Sequence, residues 1–530
     1  MARKMFFAYP PLLLVATALL AWLAPTFLAW LIPLWLLAAV GLADLRSQHN
    51  VLRLYPVIGH LRYMLEFVRP QLRQYFFESE KSGRPFSREQ RSIIHARADG
   101  QSDTAPFGTV HDVDAAGFDF IEHSLAPQDV PQDSLRMLVG GPQCSKPYDA
   151  SRLNVSAMSF GALSGNAVLA MNKGAALGGF AQDTGEGGIS PYHRKHGGDL
   201  IWELGTAYFG CRTKNGRFDA EEFAEKANTD QVKMIEIKLS QGAKPGHGGL
   251  LPAAKINPEI AATRDIEMGQ DCLSPPAHPE FSTPTGLLEF MARLRDITGG
   301  KPVGFKLCLG RRDDFMGICK AMLATGILPD FITVDGAEGG TGAAPLEFAD
   351  FLGTSINEAL PFVHSCLVGI GVREQIRVIA SGKVAMGFDM VVKTALGADM
   401  CNAARPFMFS VGCIQARRCH TNNCPTGVAT QDPRRSLALD PDDKALRVRS
   451  FHDKTLSAFR DLVGAMGVDH PDHLHPGMIY HRCEDGPALA YDLLYPYLKT
   501  DLLRSGEPPE PFATPWQAAR ADRFGNPLRD

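Results

Sequence analysis

From Met5 to Ala43 the chain carries no charged residue. That is roughly 39 positions, where one membrane-spanning helix needs about 20. The stretch predicts two apolar helices, Pro11–Ala24 with its flanks and Phe27–Ala43, with a turn near Pro25. Arg3 and Lys4 precede it and Arg46 follows it. Cations at both ends favour the cytoplasmic side for both. The expectation is a transmembrane hairpin over 1–45 in the cytoplasmic (inner) membrane, with the catalytic bulk in the cytosol. A secretory leader has one apolar region of about 7–15 residues. Here a second apolar stretch follows at once, and Trp22, Trp30 and Trp35 suit a lipid–water interface.

Residues 46–104 read as a basic helical linker. From Leu45 to Gly100, Lys and Arg outnumber Asp and Glu about two to one. Leu61, Leu65, Val68, Leu72 and Phe76 recur at helical spacing, with Arg62, Arg69 and Arg73 elsewhere on the wheel. Pro70 would kink this helix or restart it. Such a segment lies on anionic lipid or packs on the main domain, and both readings stay open.

Residues 105–440 are expected to form one domain, in which short apolar runs alternate with helical stretches from about 150 to 435. The strand candidates are Leu153–Met158, Met234–Leu239, Val303–Leu307, Phe331–Val334, Arg377–Ala380 and Asp399–Ala403. Helices are expected at Leu287–Thr298, Asp314–Thr325 and Phe388–Leu396. Alternation over this length means a parallel sheet. Polar, Gly-containing loops follow nearly every strand candidate, as at Gly185–Gly188 and Gly339–Gly342. A doubly wound sheet would instead concentrate glycine in a G-x-G-x-x-G turn after its first strand, and no such turn is found. The fold class is therefore α/β, a (β/α)₈ TIM-type barrel preceded by the hairpin. Residues 441–530 read as a helical extension and tail. The net charge of −4 argues against a nucleic-acid partner.

The 11 cysteines are too sparse for a disulfide scaffold. Three cluster: Cys413, Cys419 and Cys424, spaced C-x5-C-x4-C with Pro425 after the last. Thiolates so spaced can converge on one iron–sulfur cluster, and Cys-Pro is a feature of bacterial cluster loops. His420 is adjacent to Cys419, awkward as a fourth zinc ligand. Three cysteines with no fourth nearby suit a three-iron cluster.

The segment Cys419-His-Thr-Asn-Asn-Cys-Pro-Thr-Gly-Val-Ala-Thr-Gln431 resembles the cluster segment of the glutamate synthase large subunit. Ser156–Ser164 resembles that family's first barrel strand and flavin loop. Lys238–Gly246 resembles its substrate loop, and Gly339–Leu346 its Gly-rich strand end. The resemblance covers about 105 to 480. It implies an FMN-binding barrel with a [3Fe-4S] cluster beside the flavin. The implied reaction is reductive amination of 2-oxoglutarate, or a related oxo acid, with ammonia.

The resemblance also suggests roles. Lys306 is the candidate cation at the flavin N1–C2 edge, a catalytic position it would share with Glu186 as acid, base or imine-orienting group. Ala157, Met158 and Ser159 would pack the flavin. Ser381, Gly382, Asn402 and Ala403 occupy the loops after strands 7 and 8, where barrels of this kind bind phosphate. Lys238, Gln241, Lys244 and Lys255 would meet two substrate carboxylates; an ordinary basic loop is the competing reading. His247 stands where the family's Lys-Pro-Gly-Glu-Gly-Gly has Glu, which leaves the amine and oxo acid open.

Full glutamate synthases begin with a glutaminase whose nucleophile is an N-terminal Cys. Here residue 2 is Ala and the first Cys is Cys144. The expectation is free ammonia or an ammonia-supplying partner, with electrons from a ferredoxin or a separate reductase. Two alternatives are an N-methylglutamate synthase-like transferase and a membrane-bound flavin/iron–sulfur electron carrier.

Overall fold

The computed structural model describes residues 2–525 apart from 103, 105 and 485. The chain forms two compact units, Met1–Arg88 and Glu89–Asp530.

In the first unit, α1 spans Ala2–Leu23 and α2 spans Ile32–Leu45, joined by a 3₁₀ stretch at Pro25–Leu31. Lys4–Leu23 and Pro25–Leu45 are each long and apolar enough to cross a membrane, by length and composition. Leu13, Leu31 and Ala38 are buried between them, with Tyr9, Leu20, Leu28 and Trp35 packed around. Two polar side chains are satisfied within the pair. Trp35 Nε1 donates to Thr17 Oγ1 (3.0 Å), and Tyr9 Oη donates to the Leu34 carbonyl (2.7 Å). Buried Asp44, at the end of α2, accepts from Val57 N and meets His60 Nε2, both at 2.8 Å. Helix α3, Gly59–Leu72, runs through Pro70 into a wider π turn over Arg73–Phe77. Leu61, Leu65, Leu72 and Phe76 of the expected apolar stripe are exposed.

The second unit is built on a closed barrel of eight parallel strands. They are β1 Leu153–Val155, β2 Gln182–Asp183, β3 Leu200–Leu204, β4 Val232–Lys238, β5 Val303–Leu307, β6 Phe331–Asp335, β7 Arg377–Ser381 and β8 Met400–Ala403. Each pairs with the next, and β8 closes on β1 with Asn402 beside Asn154. Six strands fall where the apolar runs predict them. β2 and β3 were not anticipated: β2 is two polar residues, and β3 carries a glutamate. The intervening helices have local signals. Gly165–Gly178 is capped by the Ser164 hydroxyl, and it stops at Gly179 with φ +66. Pro284–Ile297 starts with Thr283 as cap and proline in its first turn.

An antiparallel hairpin, Arg136–Val139 with Tyr148–Ser151, leads into β1. Its Met137, Val139, Tyr148 and Ala150 form one buried cluster with Ala181, Ile201, Met234, Phe331, Ile379 and Met400 at the starts of the strands. The hairpin thus plugs the N-terminal end of the barrel with apolar side chains.

The compact units divide at 88 rather than at 45, 104 or 440. Arg97 Nη1 donates to Thr455 Oγ1 (3.3 Å), and Ser450 Oγ donates to the Arg97 carbonyl (2.6 Å). The helix Pro441–Ala465 lies so close to Gly165–Gly178 that a Cβ on Gly174 would sit 2.4 Å from Val448. The helix after the expected domain is therefore packed on a barrel helix, and Arg97 is bonded to that same helix.

Candidate active site

A recess at the C-terminal mouth of the barrel is lined by Glu186, Thr206, Lys238, Ser240, Gln241, Lys244 and His247, among others. Lys238 is the last residue of β4, so it reaches the mouth from a rigid strand. Its Nζ lies 2.9 Å from Glu186 Oε2 and 4.0 Å from Glu203 Oε1. Burial works to raise the Glu186 pKa, but Lys238, Arg264 and Lys244 hold it at about 2. Lys244 is buried and donates to the Gly248 carbonyl (2.8 Å). Burial lowers its pKa below the ordinary lysine value. His278 is neutral, because burial takes its pKa to about 4. It fixes Lys238 from behind, with Nε2 2.9 Å from the Lys238 carbonyl and Nδ1 2.8 Å from the Tyr208 hydroxyl.

Two glycines make the recess possible. Gly185, at φ +66, would place a Cβ 2.6 Å from Ser159 N, so the loop bearing Glu186 packs on the loop after β1. A Cβ on Gly242 would fall 1.7 Å from the Gly336 carbonyl oxygen. Gly242 N donates to Asp335 Oδ2 (2.9 Å), which ties the 239–249 loop to β6.

The residues expected to hold a flavin gather on neighbouring strands. Ala157, Met158 and Ser159 follow β1, Ser381 and Gly382 end β7, and Asn402 and Ala403 end β8. Ser156 Oγ is 3.2 Å from Ser381 Oγ, and Ser156 N donates to the Ala403 carbonyl (3.0 Å). Asn402 is buried with its Oδ1 unpartnered, and both amide atoms of buried Gln182 are also unpartnered.

Lys255, expected in the recess, lies elsewhere, and Lys306, expected at a flavin edge, has buried acids around it. Lys255 is not among the recess-lining residues; its Nζ donates to the Cys419 carbonyl (2.7 Å). The chain turns away after Pro252, through a 3₁₀ turn at Ala253–Lys255, and carries the ammonium to the cysteine loop. Lys306 points inside the barrel, as strand alternation requires, and is also absent from the recess lining. It is ion-paired with Glu203 Oε2, and Glu236 Oε2 is 3.4 Å away. Buried carboxylates therefore meet the charge expected at the flavin edge.

The three cysteines lie near enough to act on one another electrostatically. Burial raises Cys413 to about 12, and burial followed by Cys424 raises Cys419. Cys424 is lowered: hydrogen bonds from Ala429, Thr426 and Val428 outweigh its burial. Gln415 N donates to Cys413 Sγ at 3.4 Å. Gln415 and Arg417 have φ 57, a left-handed value uncommon for such residues, and Asn422, a residue that adopts it more readily, has φ 62. Strain of that kind persists where surroundings over-determine the loop.

Sequence reasoning missed Asp183, Glu203 and Glu236, whose ligand atoms lie within 4.8 Å of one another. The available signal was an acid inside an apolar strand, as in Leu-Ile-Trp-Glu-Leu and Met-Ile-Glu-Ile-Lys. It also missed Arg264, which is buried over the Phe209 ring (5.1 Å) and donates to the Phe160 carbonyl (3.1 Å). No local pattern marks that arginine.

A parallel eight-stranded barrel with charged side chains gathered at its C-terminal mouth is the architecture of a barrel enzyme. Residues 141–469 match the model described as the conserved region in glutamate synthase. The chain is 39% identical over 490 residues to the glutamate synthase large subunit-like protein YerD of Bacillus subtilis, covering 85% of this chain and 93% of that one. It is 34% identical over 319 residues to the archaeal glutamate synthase [NADPH] of Methanocaldococcus jannaschii, 59% of each chain. With the ferredoxin-dependent glutamate synthase of Antithamnion sp. it shares 37% identity over 200 residues, 38% of this chain and 13% of that one. The chain belongs to the glutamate synthase family of oxidoreductases.

Proposed function

We propose that the chain aminates 2-oxoglutarate, or a close relative, reductively with ammonia, using FMN and a [3Fe-4S] cluster. The observation that carries this reading is the convergence of Lys238, Lys244, Gln241 and Glu186 on one recess. Two ammonium groups and an amide suit a dicarboxylate. Ionised Glu186 accepts hydrogen bonds from the nitrogen being added, and the Lys238 ammonium supplies a proton to the departing oxygen.

The residues around the mouth fit FMN. The buried, unpartnered atoms of Asn402 and Gln182 suit a polar heterocycle, since buried polar groups are normally satisfied. Ala157, Met158, Ser159, Ser381, Gly382, Asn402 and Ala403 would hold it. When bound, FMN supplies the electron pair. The donor set of Cys413, Cys419 and Cys424, with its hydrogen bonds to sulfur, fits an iron–sulfur cluster fed by a ferredoxin or a separate reductase. Lys255 would add a cation beside Cys419. The apolar hairpin would anchor the enzyme in the inner membrane, with its barrel in the cytosol and ammonia drawn from solution or a partner.

One observation favours a second reading. His247 lines the recess, and its ring lies 5.0 Å from Phe348, edge to face. A ring pair there suits a bulkier amine, as in N-methylglutamate formation. The test is anaerobic turnover of the full chain with a chemical reductant and 2-oxoglutarate, with ammonia or methylamine. Glutamate supports the first reading and N-methylglutamate the second. A bound flavin that 2-oxoglutarate and amine fail to reoxidise would refute both and leave an electron carrier.

A further inference from the structure

The interior of a barrel of this kind is ordinarily filled by layers of branched apolar side chains. The layer at the plugged end obeys that rule. The next layer does not. Asp183 of β2, Glu203 of β3, Glu236 of β4 and Lys306 of β5 are all buried there, with Thr333 of β6 beside them. Burying such charges costs several kcal/mol per ion before any pairing is counted. The acids have the spacing of a cation site, but the Lys306 ammonium already lies among them, paired with Glu203 and 3.4 Å from Glu236.

The groups form a chain. Thr333 Oγ1 donates to Glu236 Oε1 at 2.5 Å. Glu236 Oε2 is 3.4 Å from Lys306 Nζ, and Lys306 is ion-paired with Glu203 Oε2. Glu203 Oε1 is 4.0 Å from Lys238 Nζ, which is 2.9 Å from Glu186 in the recess. The 4.0 Å step from Glu203 to Lys238 is the longest. The hairpin seals the other end with apolar groups, so the chain leads towards the mouth.

We propose that this buried line, from Glu236 through Lys306 and Glu203 to Lys238, is a proton relay that recharges Lys238 during turnover. The proposal rests on the reductive amination put forward above. With ammonium as nitrogen donor, 2-oxoglutarate takes up two electrons and two protons and releases water; the electrons come from the reduced flavin. One of the protons leaves Lys238. Lys306 then passes a proton to the Glu203 carboxylate, Glu203 hands it on to Lys238, and Glu236 gives its own proton to Lys306. The Asp183–Glu236 pair is left one proton short and refills through the mouth after product leaves. Burial and then Asp183 raise Glu236 well above the carboxylate range, which favours its protonated form. Asp335 acts in the same sense, whereas the Thr333 hydrogen bond and the Lys306 ammonium 3.4 Å away oppose it.

Glu236→Gln tests this, because glutamine has the shape of a protonated glutamate and keeps the bond from Thr333. The variant is expected to fold and to retain wild-type flavin and iron. Its kcat is expected to fall by about tenfold or more, with KM for 2-oxoglutarate unchanged and a larger solvent deuterium isotope effect. Wild-type kcat with an unaltered isotope effect would overturn the relay. Infrared spectroscopy gives a readout that does not need turnover. The wild type is expected to show a protonated-carboxyl band that shifts on addition of 2-oxoglutarate and is missing from Glu236→Gln. A missing or static band in the wild type overturns the relay. A wild type that shows the shifting band yet forms no glutamate counts against the proposed reaction and not against the proton line.

Discussion

Glu186→Gln isolates the ion pair at the centre of the recess. The carboxyl is held at about 2, against an ordinary 4.5. One unit is worth about 1.36 kcal/mol, so the folded state favours the charged form by about 3.4 kcal/mol. The side chain is 22% exposed, and solvent screening reduces this to about 2–3 kcal/mol. A depressed acid contributes its full stability above its unfolded pKa and loses it as pH falls through the folded one. The wild-type advantage is therefore complete at pH 7 and declines between about 4.5 and about 2, with less than about half left near pH 3. Glutamine removes it at every pH. Denaturant titrations of both proteins at pH 7, 4 and 3 measure the difference directly. Equal stability at pH 7, or a gap that does not narrow on acidification, would refute this account of Glu186 and Lys238.

Cys419→Ser is expected to abolish the cluster's iron and its EPR signal in the oxidised protein; zinc without iron in the wild type would sink the cluster assignment. Lys244→Met is expected to raise KM for 2-oxoglutarate by about 10–100-fold, the loss of one charge-assisted contact of about 1.5–3 kcal/mol, with kcat little changed. Because burial lowers the Lys244 pKa, the wild-type KM is expected to rise with alkaline pH earlier than a free lysine would dictate, and the Met variant to lack that rise. Removing residues 1–45 is expected to move the protein from the membrane pellet to the soluble fraction, followed by centrifugation and immunoblot; full retention on membranes would place the anchor in the basic segment after it.

The barrel was legible because its strands are short apolar runs separated by helices with clear caps. β2 escaped because Gln182 and Asp183 give no apolar signal, although both are fully enclosed. The recess was partly legible. Lys238, Gln241 and Lys244 share one loop, so nearness in sequence meant nearness in space. The same inference failed to bring in Lys255, since a few residues suffice to turn a chain away. For Lys306, alternation gave the direction but not the company. Its partners Glu203 and Glu236 come from β3 and β4, and only closure of the sheet brings them to it. Pairings of that kind are set by strand register, which one sequence does not display.

The hairpin that plugs the barrel precedes every barrel strand in the chain. On the ribosome its apolar face, with Met137, Val139, Tyr148 and Ala150, is made first and has nothing yet to cover it. The last barrel strand that completes its burial, and that must also zip onto β1, emerges only at Met400–Ala403. Bringing ends about 250 residues apart together costs about 5 kcal/mol in loop entropy, and this is recovered only on closure. Synthesis therefore passes through a long interval in which a sticky lid exists without its vessel. Nascent chains of this protein are expected to lean on chaperones until that final strand is released.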